Sequence, residues 1–316
     1  MTWLVWRQHR GEALIASIGL GILAAVLIIT GIQIASAFQS LGVAACVAHP
    51  ELANCNEIER GFAEPYSFLT SALPWLNLLP AFVAILIGAP LVAREFEHGT
   101  HRLAWTQSVT RWRWLAIKLG LVLLGCVLLS AIVTALLTWW RWPFDQIGGR
   151  FDPQAFNFEG AVPLAYMLFA VALAIAVGAL LGRSIPAMVV TLVVFTAARL
   201  GIQSFARPNF LPPITRVFGL NDPDYLNRYD WVLDQGWVDS HGNQLHGSAV
   251  LRSCEAGAGA KSDILQCIRA HGLQQFVTFQ PADRFWLFQG IEAAIFCALA
   301  AICVVVTFWL VKRRPA

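Results

Sequence analysis

Residues 162–205 read VPLAYMLFAVALAIAVGALLGRSIPAMVVTLVVFTAARLGIQSF. Two apolar runs, Val162–Leu181 and Ile185–Phe205, are parted only by Gly182, Arg183 and Ser184. A helix needs about 20 residues to cross a hydrocarbon core of about 30 Å, so each run is long enough to span. Lipid cannot satisfy backbone N–H and C=O groups, which leaves helices or closed barrels. Runs this continuously apolar are not the alternation of barrel strands. A three-residue link then forces the two helices into a tight antiparallel hairpin.

Outward from this pair, four further runs have the same character: Ala13–Ala37, Phe68–Val92, Trp114–Trp140 and Phe285–Val311. The chain is 57% hydrophobic and 13% charged, against about a quarter charged in soluble domains. The expected fold class is an all-α integral membrane protein with six spanning helices. Residues 1–206 form a transmembrane domain, 207–284 an extracytoplasmic cap, and 285–316 the last helix and a tail. The first run, with Arg7 and Arg10 before it and Ala35-Ser36-Ala37 near its end, has the outline of a secretory signal. Its apolar part is about twice the usual 7–15 residues, so a retained helix is expected.

Basic residues set the orientation. With the N-terminus inside, the inner segments hold Arg7, Arg10, Arg94, Arg102, Arg111, Arg113, Lys118, Arg183, Lys312, Arg313 and Arg314 against Glu12, Glu95 and Glu97. The outer segments are net acidic. Both termini are therefore expected in the cytoplasm of a cell carrying the chain in its plasma membrane. Four cysteines fall in the two largest outer loops, two in each, and read as Cys46 with Cys55 and Cys254 with Cys267. Four free thiols are the alternative. MTWLVWRQHRGE, residues 1–12, reads as an amphipathic helix in the headgroup plane or as a plain interfacial anchor. Trp139, Trp140, Arg141 and Trp142 read as an aromatic belt at the outer interface.

Catalytic motifs are missing. No HExxH or cysteine-histidine metal spacing occurs in a helix. His241, His246 and His271 are weak zinc candidates in a Gly/Asn-rich setting. GAGAKS, residues 257–262, has Ala260 where a phosphate loop requires glycine. Asp222 and Asp224 flank Pro223 as turn residues would. The chain is expected not to be an enzyme and to bind no cofactor itself. Within the membrane, Arg199 and Glu292 each lie seven residues from an outer helix end, so both sit about 10 Å deep. They form an ion pair, or Arg199 snorkels and Glu292 faces a vestibule. Asn77, Gln289, Arg199 and Glu292 are the candidates for a substrate path.

The remaining chemistry is concentrated in residues 93–118, AREFEHGTHRLAWTQSVTRWRWLAIK. Arg94, Glu95 and Glu97 wet the end of the second helix. Gly99 is a stop, Thr100 caps a short helix from His101 to Gln107, and Thr110 caps the third span. A short helix tied to two spans can pass a push from a cytoplasmic partner to both.

PLVAREFEHGT, followed by SVTRWRW, resembles the membrane subunits of type 2 ATP-binding-cassette exporters, especially actinobacterial drug and antibiotic exporters. WRQHR near the N-terminus and the six-helix layout fit the same resemblance. It implies that Glu97, Gly99 and Thr100 are the signature closing the second helix. Glu95, His98, His101, Arg102 and Leu103 belong to the surface docking on the ATPase. It further implies two copies of a separate ATPase subunit holding ATP and magnesium, a second copy or a paralogue of this chain, and a lipid environment, with no nucleic-acid partner. Cargo would be a drug, antibiotic, peptide or lipid. A membrane scaffold or sensor with an external ligand-binding domain is the alternative function, and an enzyme seated in the outer block is a third.

Overall fold

The computed structural model describes residues 2–50, 52–98, 110–219, 226–247 and 272–313. Six helices are long and apolar enough to cross a membrane: Ser17–Ser40, Leu79–Glu97, Trp112–Gly148, Val162–Leu181, Ser184–Asn209 and Ala282–Arg313. They are extended or joined by shorter elements. Helix α1 is Thr2–Ser40, α2 Val43–Ala48, α3 Cys55–Ala63, α4 Ser67–Leu76 and α5 Leu79–Glu97. Helix α6 is Arg111–Gly148, α7 Pro153–Phe156, α8 Val162–Leu181, α9 Ser184–Asn209 and α10 Phe285–Arg313.

Three boundaries differ from expectation for physical reasons. Helix α1 runs unbroken from Thr2 to Ser40, passing through Gly11, so the N-terminal stretch is not a separate helix but continues into the first span. The second run is split at Asn77 and Leu78 into α4 and α5, with Pro74 and Pro80 on either side of the break. Helix α6 continues through Trp140 to Gly148, so Trp139 and Trp142 remain about half exposed while Trp140 is buried and donates from Nε1 to Thr30 Oγ1 at 2.9 Å. At the other end of α6, Thr110 accepts from the Arg113 backbone N–H, the expected cap.

Helix α8 is the buried centre, packed by α5, α6, α9 and α10. Its contact with α5 is close because small residues face each other: a Cβ on Gly178 would lie 2.7 Å from the Ala89 carbonyl oxygen, and one on Gly88 would lie 2.9 Å from the Ala174 Cβ. Gly182, at φ 63°, ends α8 in the left-handed region and starts the hairpin to α9. A second core of Leu27, Ile34, Phe38, Phe62, Leu137 and Trp140 joins α1 to α3 and α6. The Cys46–Cys55 disulfide is formed between α2 and α3, with Cα atoms 5.3 Å apart. Cys254 and Cys267 lie outside the described residues.

The described residues between α9 and α10 include strands, so the molecule is not all-α. Strands β1 (Ile214–Phe218), β2 (Trp231–Val238), β3 (Gln244–Leu245) and β4 (Gln274–Gln280) form an antiparallel sheet in the order β1-β4-β2-β3. Ile214 pairs with Phe279, and Trp231 pairs with Gln280. Strand β4 buries Phe276, Val277, Phe279 and Gln280, so it lacks the alternation by which a strand is read from sequence. Trp231 packs with Phe151 and Phe288, fastening the sheet to the helix ends.

Candidate functional site

A buried polar network lies where α8, α9 and α10 meet below the sheet. Glu292 is fully buried on α10, and its carboxylate receives Arg207 Nε on Oε2 and Arg207 Nη2 on Oε1, both at 2.7 Å. The Tyr166 hydroxyl also donates to Oε1. Arg207 reaches this point because α9 widens into a π-turn at Ile202–Ala206 and then tightens at Arg207–Asn209, which turns the arginine inward. Its Nη2 donates to Asn157 Oδ1 at 2.7 Å as well, and its guanidinium lies 4.3 Å over the Phe156 ring. Bidentate geometry makes this a strong charge-assisted pair, and its burial makes each partner costly to leave alone.

The four intramembrane candidates divide between two roles. Gln289 bridges chain segments, accepting from the Val162 N–H at 3.0 Å and donating to the Phe156 carbonyl at 2.9 Å. Arg199 bonds Asn77, with Nη1 on the carbonyl oxygen at 3.3 Å and Nη2 on Oδ1 at 2.7 Å, and stacks 4.8 Å over the Tyr166 ring. The ion-pair partner of Glu292 is therefore Arg207, not Arg199. Matching depth is insufficient when a nearer guanidinium already occupies both carboxylate oxygens.

A second cluster sits at the sheet end. Arg141 Nη2 bonds Asp145 Oδ1 at 3.1 Å, and Arg150 Nε lies 3.0 Å from Glu159 Oε2. Burial, and next the hydrogen bond to Asp145, push Glu159 up to about 8, against the opposing pull of Arg150 and Arg141. Asp145 Oδ2 and Glu159 Oε1 are both buried without a hydrogen-bond partner. Beside Asp145 is an open cavity of about 480 Å³, walled also by Trp142, Arg150, Tyr229, Asp283 and Trp286.

At the opposite end of the bundle, Glu97 closes α5. Its Oε2 accepts from the Ser184 N–H at 3.2 Å and the Ser184 Oγ at 3.0 Å, satisfying donors at the start of α9. Glu95, half a turn earlier, pairs with Lys118 of α6. The end of α5 is thus tied to α6 and α9 where the chain enters the 99–109 segment. His98 Nδ1 lies 2.9 Å from the Arg94 carbonyl oxygen. Gly99, Thr100, His101, Arg102 and Leu103 lie outside the described residues, as do Asp222, Asp224, His271 and residues 257–262. His246 is exposed, with Nε2 3.1 Å from Asp234 Oδ1, and no group that could hold a metal occurs among the described residues.

Residues 17–207, from α1 through the end of α9, match the family model described as ABC-2 membrane transporter related. The chain belongs to the ABC-2 membrane transporter related family. The match takes in Glu97, Lys118 and Ser184 of the clamp, and Tyr166, Arg199 and Arg207 of the buried network; the sheet and α10 with Glu292 lie beyond it. No curated protein and no solved structure matches this ABC-2 family chain.

Sequence reasoning missed Arg207, Tyr166 and Asn157. Arg207 falls just past the fifth apolar run, at the first position of the 207–284 block, so sequence reasoning does not count it among the intramembrane charges. Tyr166 carried a usable signal, being the one hydroxyl-bearing side chain in α8. Glu159 and Asp145 gave no local signal, since their pairing depends on α6 and the α7–α8 connection meeting in space.

Proposed function

We propose that the chain is the membrane-spanning permease subunit of an exporter driven by a separate ATPase subunit, and that the 99–109 segment receives the ATPase's movement. Family membership supports the transporter class and, in general terms, an ATPase partner. The observation that carries the coupling is the clamp: Glu97 on Ser184 and Glu95 on Lys118 join three spanning helices at the mouth of that segment. A displacement applied there moves α5, α6 and α9 as one body, and α9 carries Arg199 and Arg207 at its far end.

In this reading both termini and the clamp face the cytoplasm of the plasma membrane, and the sheet faces outward. Two permease copies, or one with a paralogue, enclose the path, and two ATPase copies hold ATP and magnesium. ATP drives the cycle because it binds the closed ATPase pair better than the open one; a ligand shifts an equilibrium only by its differential affinity. The chain itself contributes no catalytic group. Its cargo is hydrophobic or amphipathic, matching apolar spans broken by few polar side chains.

Inside-out vesicles carrying the chain and its ATPase test this. ATP should drive uptake of at least one member of a panel of lipophilic antibiotics, peptides and lipids, and vanadate should stop it. Partner binding without ATP-dependent uptake of any panel member would identify a scaffold instead.

A further inference from the structure

The polar network below the sheet has more donors than acceptors. Arg199 and Arg207 bring two guanidinium groups, while Glu292 brings the one carboxylate among the described residues of the network, and Arg207 with Tyr166 occupies both of its oxygens. The buried atoms of this network without a partner are Arg199 Nε and Arg207 Nη1, both donors. Arg199, 5% exposed, donates to the neutral oxygens of Asn77 and stacks on the Tyr166 ring, and among the described residues no carboxylate is paired with it. A buried cation without a counter-charge is costly in a membrane, and it makes its surroundings attractive to an anion.

Arg199 also forms the charged part of the wall of an open groove of about 340 Å³ between the α4–α5 break and α9. The rest of that wall is mainly apolar, with Trp75, Leu78, Phe195 and Leu200, and has Thr196 and Gln203 as further polar positions. The volume is at the small end of ligand sites, which run from about 300 to 1,000 Å³. Such a groove has an apolar length for a hydrocarbon and a single unneutralised charge for its head.

We propose that this groove binds a single-chain amphipathic anion whose carboxylate pairs with Arg199. A cationic amphiphile of the same length is disfavoured, because its head would add a like charge to the network. Binding stands apart from transport, so it can be measured on the purified chain in detergent whether or not uptake is found.

Trp75 in the groove wall provides the readout. Quenching of tryptophan fluorescence by a dibrominated long-chain fatty acid should saturate at a concentration at least tenfold below that needed by its uncharged methyl ester and by the matching brominated amine. Trp75→Phe should remove most of the saturable quenching. Arg199→Gln should bring acid and ester together, while Arg199→Lys, which keeps the charge, should retain the order acid before ester. Equal affinities of acid, ester and amine for the wild type would overturn the proposal, as would saturable quenching unchanged in Trp75→Phe. Those two results need no change at Arg199, so they decide even if Arg199→Gln does not fold. A brominated diacyl phosphatidylglycerol that quenches as tightly as the fatty acid would overturn the single-chain assignment in favour of bulk anionic lipid.

Discussion

At the residue scale, the molecule depends on buried charges that have no independent existence. Removing one member of the Arg207–Glu292 pair leaves its partner charged and dry, so Glu292→Gln or Arg207→Gln should each lower stability by about 3–5 kcal/mol. The double replacement should recover much of that loss, measured by thermal unfolding in detergent; strictly additive losses would mean that the two do not act as a pair. Glu159 makes a different forecast. Unfolded, its carboxyl titrates near 4.5; folded, burial and then Asp145 push it up to about 8 against the opposing pull of Arg150 and Arg141. In that window the fold holds a proton that the unfolded chain releases, so this group's contribution to stability falls as pH rises from about 5 to about 8 and is flat above. Glu159→Gln should abolish that slope and be the more stable protein above pH 8. A melting-temperature slope identical to wild type would refute the raised Glu159 carboxyl. Sequence alone could mark Glu292 and Arg199 as unusual, because each is a charge in an apolar run. It could not choose their partners, because Arg207, Asn157 and Tyr166 converge only through the π-turn of α9 and the packing of α8.

At the scale of elements, two contacts hold the spans against one another. Where α5 and α8 approach most closely, no side chain fits at Gly178: Gly178→Val forces a Cβ to within 2.7 Å of the Ala89 carbonyl oxygen and should cost about 1–3 kcal/mol. Gly120→Ala is the control, since nothing lies within 4 Å of its added Cβ. Equal melting temperatures for the two variants would show that α5 and α8 are not packed so closely. At the clamp, Glu97→Ala leaves the Ser184 donors at the start of α9 without their acceptor and removes this tie between α5 and α9. Membrane insertion and abundance should be unchanged while ATP-driven uptake drops; unaltered uptake would separate Glu97 from coupling. The spans that begin and end in sequence signals were legible: Val162–Leu181 is bounded by Gly160 and Gly182, and Thr110 caps α6. The strands were not, because β3 has two residues and β4 is covered on both faces.

At the scale of the whole molecule, one buried helix, α8, is ringed by spans whose outer faces remain apolar: Leu124, Leu128 and Ile132 on α6, Val189 and Val193 on α9, Ile302 and Val305 on α10. Six membrane-length helices in an ABC-2 family chain, three of them tied together at one end, carry a sheet at the other. The central claim is that ATP bound by a partner subunit moves these helices. It is tested most directly by purifying the chain with the ATPase co-expressed from the same source and measuring ATP hydrolysis with and without vanadate. The account predicts a complex that survives purification and hydrolyses ATP, with vanadate abolishing the activity. A chain that purifies free of any ATPase, or with hydrolysis indifferent to vanadate, would contradict it.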